Sequence, residues 1–334
     1  MAATYPIEAA IAADLEALGT ERMQQGWHPS LPLLRALLDW EQGGRVFVLR
    51  EGTLNPASAT PQAPVATTSA IAAGPVGVVG NVIVRDDYRR RGLGRAIMDA
   101  AVEWMRERGV RSVLLDATPA GRPLYRGMGF VGVERSFYAW GLLRTLDRSA
   151  LRHIAAGHTV HHVPSRDLPR VAALDEQAFG GDRLPLVAGL LREPGAALYI
   201  AEDSDDLPTG FLVARPVEVP REGLRVGPWI ARDAATAAAL LECALGASEP
   251  WRDELPATHE DDWRIALNLP ESSADSLRLL RAIGMHVEED DLIMRLDLTA
   301  PEPFVGASHG SPVAPAPVAA HPEWVYAWIA PMVF

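Results

Sequence analysis

The densest chemistry in this chain lies between Asp87 and Ala101, where the sequence reads Asp-Tyr-Arg-Arg-Arg-Gly-Leu-Gly-Arg and passes into an apolar-periodic helix. Four arginines and two glycines gather where a strand, Asn81–Val84, hands over to that helix. A helix N-terminus presents unsatisfied N–H groups and a partial positive charge, which suit an anion such as a phosphate. Gly92 and Gly94 carry no Cβ, so an anion can approach the backbone from Arg90 to Arg95 closely. Arginine side chains at the rim add charge. The same residue types also make an ordinary solvated, basic helix start, and the turn by itself does not choose between the two. It is neither of two common phosphate loops. A third glycine and a strand-proximal acid at dinucleotide-fold spacing are missing, and no Gly-Lys-Ser/Thr follows.

The elements that must hold this turn can be read around it. Patterning predicts helices at Ile7–Met23 and Leu31–Trp40, a strand at Arg45–Arg50 and strands around Val76–Val84. The Ala/Pro/Thr/Ser stretch from Thr53 to about Ala73 reads as a long exposed loop between strands. After the turn, Leu93, Ile97, Ala101 and Met105 share one helix face, and Gly109 closes the helix. A strand at Ser112–Asp116, a short helix at Gly121–Gly127 and a strand at Val131–Trp140 follow. A strand–helix–strand unit of this kind implies parallel strands and a right-handed crossover.

These elements recur. Leu31–Leu38 (LPLLRALL) is matched by Leu184–Leu191 (LPLVAGLL), each ahead of a strand. Val79–Asp86 (VGNVIVRD) is matched by Val226–Asp233 (VGPWIARD), and Leu124–Phe130 (LYRGMGF) by Leu279–Met285 (LLRAIGM). Three matches in one order imply two copies of one fold. The expected domains are residues 1–150, residues 151–299, and a Pro-rich linker with a C-terminal tail strand over residues 300–334.

The totals set limits. A chain of 334 residues is long for one core and suits two domains. With 31 basic and 43 acidic side chains the net charge is −12, which argues against non-specific nucleic-acid or anionic-membrane partners. The single cysteine, Cys243, allows neither an intrachain disulfide nor a thiolate metal cage. With no cationic, hydrophobic signal segment at the start, the cytoplasm is the expected compartment. The apolar run near the end, WVYAWIAPMVF, is far too short to span a bilayer.

The run Arg89-Arg90-Arg91-Gly92-Leu93-Gly94 behind a hydrophobic strand resembles the pyrophosphate-binding motif of the GNAT superfamily of N-acetyltransferases. The block LLDATPAGRPLYRGMGF resembles the family's second block, a strand followed by a short helix that bears Tyr and then Gly-Phe. The repeat is similar to tandem-GNAT proteins with a degenerate C-terminal copy. The resemblance implies an α/β (α+β) fold of two GNAT-like domains, each a mixed twisted sheet flanked by helices, with a C-terminal aromatic tail. It implies acetyl-CoA as co-substrate, with its pyrophosphate on Arg89, Arg90, Arg91, Gly92, Leu93, Gly94 and Arg95. Its pantetheine amides would pair with the strand edge at Val82 and Val84, where parallel strands splay after Val84 and Asp116. Thr118 stands where many members carry an Asn that bonds the pantetheine arm, and Asp86 stands where Pro is common.

Acyl transfer to an amine needs a neutral amine, a polarised carbonyl and a stabilised thiolate. The resemblance places Tyr125 near the sulfur. A phenol is a weaker acid than a thiol, so a strong hydrogen bond to the departing sulfur is the economical role. Asp116 at its strand end is the first candidate for the base; it also suits a cap of the turn at Ala117–Thr118, and a water chain needs no carboxylate. Asn81 is a candidate water holder. Trp27, His28, Tyr138 and Trp140 are candidates for the acceptor wall, and Trp229, Trp263 and the tail residues Trp324, Tyr326 and Trp328 are either further wall or core. The second copy reads AATAAALLECAL where the first has its Arg/Gly turn, and Leu280 stands at the position of Tyr125. No acetyl-CoA is expected there. The tail is expected to add a strand to an exposed sheet edge.

Other temptations are weaker. Gly306–Gly310 fits G-x-S-x-G but lacks the strand and helix of a nucleophile elbow. His153, His158, His161 and His162 read as a solvated connection, and no metal is expected. Glu288–Asp291 reads as a solvated turn. The sequence reading is therefore an acetyl-CoA-dependent N-acetyltransferase acting on a small-molecule amine in a ternary complex. It has no nucleic-acid or membrane partner and is a monomer or homodimer. A non-catalytic acyl-CoA sensor or scaffold is the alternative.

Overall fold

The computed structural model describes residues 5–24, 31–51, 63–155, 157–217, 223–246, 249–255, 263–299 and 325–327. The first copy contributes strands β1 (Ile7–Ala9), β2 (Gly44–Leu49), β3 (Ala66–Ala73), β4 (Val76–Val84), β5 (Ser112–Ala117) and β6 (Val131–Leu142). Its helices are α1 (Leu15–Gln24), α2 (Leu31–Asp39), α3 (Leu93–Arg106) and α4 (Arg122–Gly127). The second copy follows with α5 (Arg148–Ile154), β7 (Thr159–Val163), α6 (Ala172–Phe179), α7 (Leu184–Leu190), β8 (Ala197–Glu202), β9 (Pro208–Val217), β10 (Gly223–Ala231), α8 (Ala234–Ala244), β11 (Arg264–Pro270), α9 (Ala274–Ala282) and β12 (His286–Asp297). The tail adds β13 (Val325–Ala327).

Two compact units result, and their boundaries are not contiguous in sequence. Among the described residues, one holds residues up to 134 with 291–299, and the other holds residues 135–290 with 325–327. Most of β6 therefore belongs to the second unit, where Ser136–Leu142 pairs antiparallel with β11. Conversely, Leu292–Asp297 of β12 pairs antiparallel with β5 in the first unit. Each copy's last strand completes the unit begun by the other copy.

In the first unit the order is β1-β2-β3-β4-β5 and then the second half of β12. Apolar alternation decides which face each helix covers. Phe47, Leu49, Ala66, Ala70, Val79, Val113, Leu115 and Ala117 pack with Leu93, Ile97, Ala101 and Met105 of α3, the helix face expected from the sequence. Val46, Val48 and Ile71 are buried on the opposite face, where α1 and α2 contact β2, β3 and β4. Beneath α3, Gly77 has no room for a side chain, since a Cβ there would stand 2.5 Å from Met105 Sδ.

Two sequence expectations change here. Ile7–Ala9 is not helical but pairs antiparallel with Phe47–Leu49 of β2, and the first helix begins at Leu15. Edge pairing overrides a local preference for helix. The end of the supposed loop, Ala66–Ala73, is a largely buried central strand between β2 and β4. Its Thr67, Thr68 and Ser69 are polar yet buried, because Thr67 and Thr68 donate to Asn81 O and Gly80 O while Ser69 Oγ accepts from Asn81.

The second unit repeats the plan in the order β6-β11-β10-β9-β8-β7, using the second part of β6. Its core gathers Phe137, Ala139, Leu212, Trp229, Leu240, Leu241, Trp251, Trp263, Leu267 and Leu280. Trp229 and Trp263 are thus core residues. His161 and His162 lie on β7 and His153 on α5, so the supposed polar connection is largely ordered structure. Glu288–Asp291 lies inside β12 rather than in a turn.

Candidate active site

The first unit opens where β4 and β5 part. They pair in parallel only at Val76↔Ser112, Gly77↔Val113 and Val78↔Leu114, so the splay starts well before Val84 and Asp116. The cause is local. Asn81 sits at φ 55°, and the register between β3 and β4 shifts there, so that Asn81 and Val82 together oppose Thr68. A bulge of this kind bends its strand and can re-aim it at a site. Beyond it, Arg85 N–H donates to Val65 O at 3.0 Å. By alternation the backbone groups of Val82 and Val84 turn the other way, into the opening. Arg89 Nε reaches Val84 O on that side at 3.1 Å.

At the end of the opening stands the Arg/Gly turn. Gly92 is the N-cap of α3 at φ 80°, and Arg90 also has positive φ, 60°. No side chain caps α3, and Ala96 N–H is bonded to Gly92 O. Among the described residues, no backbone carbonyl accepts from the amides of residues 90–95. A Cβ at Gly92 would meet nothing within 4 Å, so this glycine serves backbone conformation and open access rather than packing. Gly94 lies against Leu124 and Val84.

Three of the arginines brace the turn. Arg89 pairs with Asp86 at 2.7 Å, Arg91 donates to Asp87 O and Tyr5 Oη over the ring of Tyr88, and Arg95 holds both carboxylate oxygens of Asp99 at 2.9 Å and Gly127 O at 3.0 Å. These bonds fix the backbone donors at a cost in rim charge. Leu93 is buried in the α3 core.

Tyr125 on α4 is 7% exposed and packs edge-on against Phe130. Its pKa is pushed up to about 12 by burial, with a smaller contribution from the charge of Asp291. The phenol therefore stays a proton donor across the working range of pH. Asp291 arrives on β12 from the far end of the sequence, and no local pattern announces it. Thr118 Oγ1 accepts from Gly121 N–H at 3.3 Å, shaping the entry to α4.

Ser69 and Asp116 alternate with α3-core neighbours and so lie on the sheet face opposite α3. Asn81 is on that face too, because its Nδ2 donates to Ser69 Oγ at 2.6 Å. Its Oδ1 is buried with no hydrogen-bond partner among the described residues, which marks a place for a water or a ligand donor. Helix α1, which contacts β4, brings one further group. Glu21 is 8% exposed, and its Oε2 has no hydrogen-bond partner among the described residues. Burial raises its pKa to about 7, against a smaller opposing pull from Arg85. No clear signal for it stands in the sequence, since the buried stripe of α1 mixes Leu15 and Leu18 with Glu21 and Arg22.

Of the other site candidates, Trp27 and His28 lie outside the described residues, as do Gly306–Gly310. Tyr138 and Trp140 are in the second unit, paired with Asn268 and Ala266 of β11. There Trp140 stacks on His286. Among the described residues, no group of His, Cys, Asp and Glu could hold a metal, and no helix is long and apolar enough to cross a membrane.

A bulged strand, a splay and a following helix recur in this chain, with the uncapped Gly-rich helix start in the first copy alone, and the chain matches models of the GNAT family. The chain belongs to that family of acetyltransferases. The Acetyltransferase (GNAT) family model matches residues 14–130, and an Acetyltransferase (GNAT) domain model matches residues 171–303. The Bacillus subtilis (strain 168) protein "Uncharacterized N-acetyltransferase YitH" is 30% identical over 184 residues, covering 54% of this chain and 61% of that protein. The chain thus spans about three fifths of that relative's length. A Pyrococcus horikoshii structure described as a candidate acetyltransferase superposes with a TM-score of 0.66 at 20% identity, covering 98% of this chain and 94% of that one. A tandem GNAT protein from the clavulanic acid biosynthesis pathway gives 0.57 at 15% identity, covering 90% and 100%. At these identities the structural matches speak for the fold alone.

Proposed function

We propose that the first unit transfers acetyl from acetyl-CoA to the amine of a small acceptor, both substrates being bound together. The observation that carries this reading is the row of amides from Arg90 to Arg95, left without backbone acceptors among the described residues, beside a splayed strand edge. The residues fit the coenzyme. The turn offers donors for its diphosphate, and Val82 and Val84 offer edge groups for an amide-bearing arm. When bound, the coenzyme supplies an acetyl group already activated as a thioester.

The chain's own residues do the rest. Backbone N–H groups on the bulged strand polarise a carbonyl laid along it. Tyr125 donates a hydrogen bond to the leaving sulfur. With its pKa near 12 against a thiol near 8.5, full transfer of the proton is uphill by roughly 5 kcal/mol. The phenol therefore stabilises the thiolate by hydrogen bonding, and the thiolate takes its proton after departure. On the opposite face an alkylammonium must lose a proton before it attacks. Glu21 is the carboxylate tuned for this task near neutral pH, and Asp116 is the second candidate. Asn81 Oδ1 holds the amine or a relay water. Two carboxylates on this side favour a cationic acceptor, and the expected ligands are small molecules rather than nucleic acid or lipid.

Release of free CoA thiol on addition of an amine library tests the reading. An enzyme releases thiol with at least one amine. A sensor or scaffold would bind acetyl-CoA, seen as a rise in Tm, and release none with any of them.

A further inference from the structure

The second unit has the same splay, and it is filled. β10 and β11 pair in parallel at Gly223↔Arg264, Leu224↔Ile265 and Arg225↔Ala266 and then part. The parting again follows a register shift, here between Val226 and Trp229. Into the gap comes β13, antiparallel to β10, with Ile230 opposite Val325 and Trp229 opposite Ala327. β13 also lies against β11 and α9. The repeat aligns Trp229 and Ile230 with Val82 and Ile83 of the first copy. The tail thus runs along the stretch of strand that corresponds to the first unit's proposed coenzyme edge. It does not extend an outer edge of the sheet, because β10 lies between β9 and β11.

Four details adapt this gap to a peptide. Ser276 Oγ on α9 donates to Val325 O at 2.9 Å, a bond that addresses the backbone and not a particular side chain. Val325 is 1% exposed, so its side chain is seated in the unit. The helix after β10 is closed to anions, because Asp233 caps it by accepting from Thr236 N–H at 2.7 Å and puts a carboxylate where a phosphate would sit. Leu280, in the place of Tyr125, is buried in the core.

We infer that the second unit's counterpart of the coenzyme slot is a strand-binding groove whose ligand is the chain's own segment around Val325–Ala327. Backbone hydrogen bonds to β10 supply the affinity and the Val325 socket supplies register, as in strand addition to an open edge. Apart from the comparison with the first unit, nothing in this inference depends on the coenzyme reading, and neither does its test.

The test uses a chain ending at residue 318 and a synthetic peptide of residues 319–330. The peptide should bind the shortened chain one to one and raise its Tm towards that of the full chain. A Val325→Asp peptide should bind at least about tenfold more weakly, and the full chain, its groove already taken, should bind no added peptide. Should the shortened chain fail to fold, amide exchange in the full-length protein decides. The amides of Val325–Ala327 should exchange as slowly as those of β10, and Ser276→Ala should speed them about threefold or more. No binding of the peptide to a folded shortened chain, or exchange of Val325–Ala327 at the rate of unstructured chain, would overturn the inference. A full chain that failed to bind acetyl-CoA would sink the catalytic reading and leave this one standing.

Discussion

The two copies share a bulged strand, a splay and a following helix, and they treat the open end in opposite ways. In the first copy Gly92 leaves the start of α3 uncapped, and among the described residues the amides of residues 90–95 have no backbone acceptor. In the second copy Asp233 closes the start of α8 and β13 lies in the splay. Tyr125 near one opening is replaced by Leu280 at the other. The scaffold is thus neutral as to function. A few positions decide whether the slot presents donors to an anion or satisfies them with the chain's own atoms.

The largest effect should come from turning the first copy's turn into the second's. Gly92→Glu puts a carboxylate among the free amides and forces a side chain onto φ 80°. Calorimetry should show acetyl-CoA affinity falling by about 100-fold or more, roughly 3 kcal/mol. Binding equal to that of the wild-type chain would show that the diphosphate lies elsewhere. The reverse change, Asp233→Gly, should create no second coenzyme site.

Next comes the leaving group. Tyr125→Phe keeps the ring and should lower kcat by about 10- to 100-fold with coenzyme affinity unchanged, the signature of an interaction made only in the transition state. Unaltered turnover on the best amine would remove Tyr125 from the mechanism. Because its pKa lies near 12, no fall in rate below that pH should trace to its ionisation.

Glu21 predicts a pH dependence of both rate and stability. Its folded pKa of about 7 lies above the usual carboxylate value, so the folded state favours the protonated form. The stability it contributes is whole below about pH 4.5 and is lost as pH rises through 7. Glu21→Gln should remove that loss, making the variant more stable than wild type at pH 8 by on the order of 2 kcal/mol, with little difference near pH 4. In turnover, kcat/KM of the wild type should rise with pH to a shoulder near 7, and the variant should lose the shoulder. Stability curves that run parallel across this range would contradict the assignment.

The smallest effect belongs to the second copy's cap. Asp233→Ala removes the bond to Thr236 N–H and should cost about 1 kcal/mol, read as a lower urea midpoint. Turnover should be unchanged.

Much of this contrast was legible beforehand. The Arg/Gly turn, Tyr125, the α3 face and the loss of both features in the second copy are local patterns, and local patterns survive in sequence. Where the fold depends on distant partners the sequence misled. Ile7–Ala9 has a helix-like neighbourhood but gains more by pairing with β2, and Ala66–Ala73 looks like linker because its small polar residues are satisfied by strands that only the fold supplies. The exchange of β6 and β12 between units was invisible for the same reason. Strand pairing is a long-range property, and Tyr138, Trp140 and Asp291 changed their setting with it. Glu21 is not announced by the sequence, because the buried stripe of α1 mixes apolar with charged residues and so carries no clear apolar face.

Hydrogen exchange with and without saturating acetyl-CoA tests the central contrast most directly. The account predicts new protection at the amides of residues 90–95 and at Val82 and Val84, with no change from Trp229 to Thr236. Protection that appeared at 229–236, or none at 90–95 in a chain shown to bind the coenzyme, would contradict it.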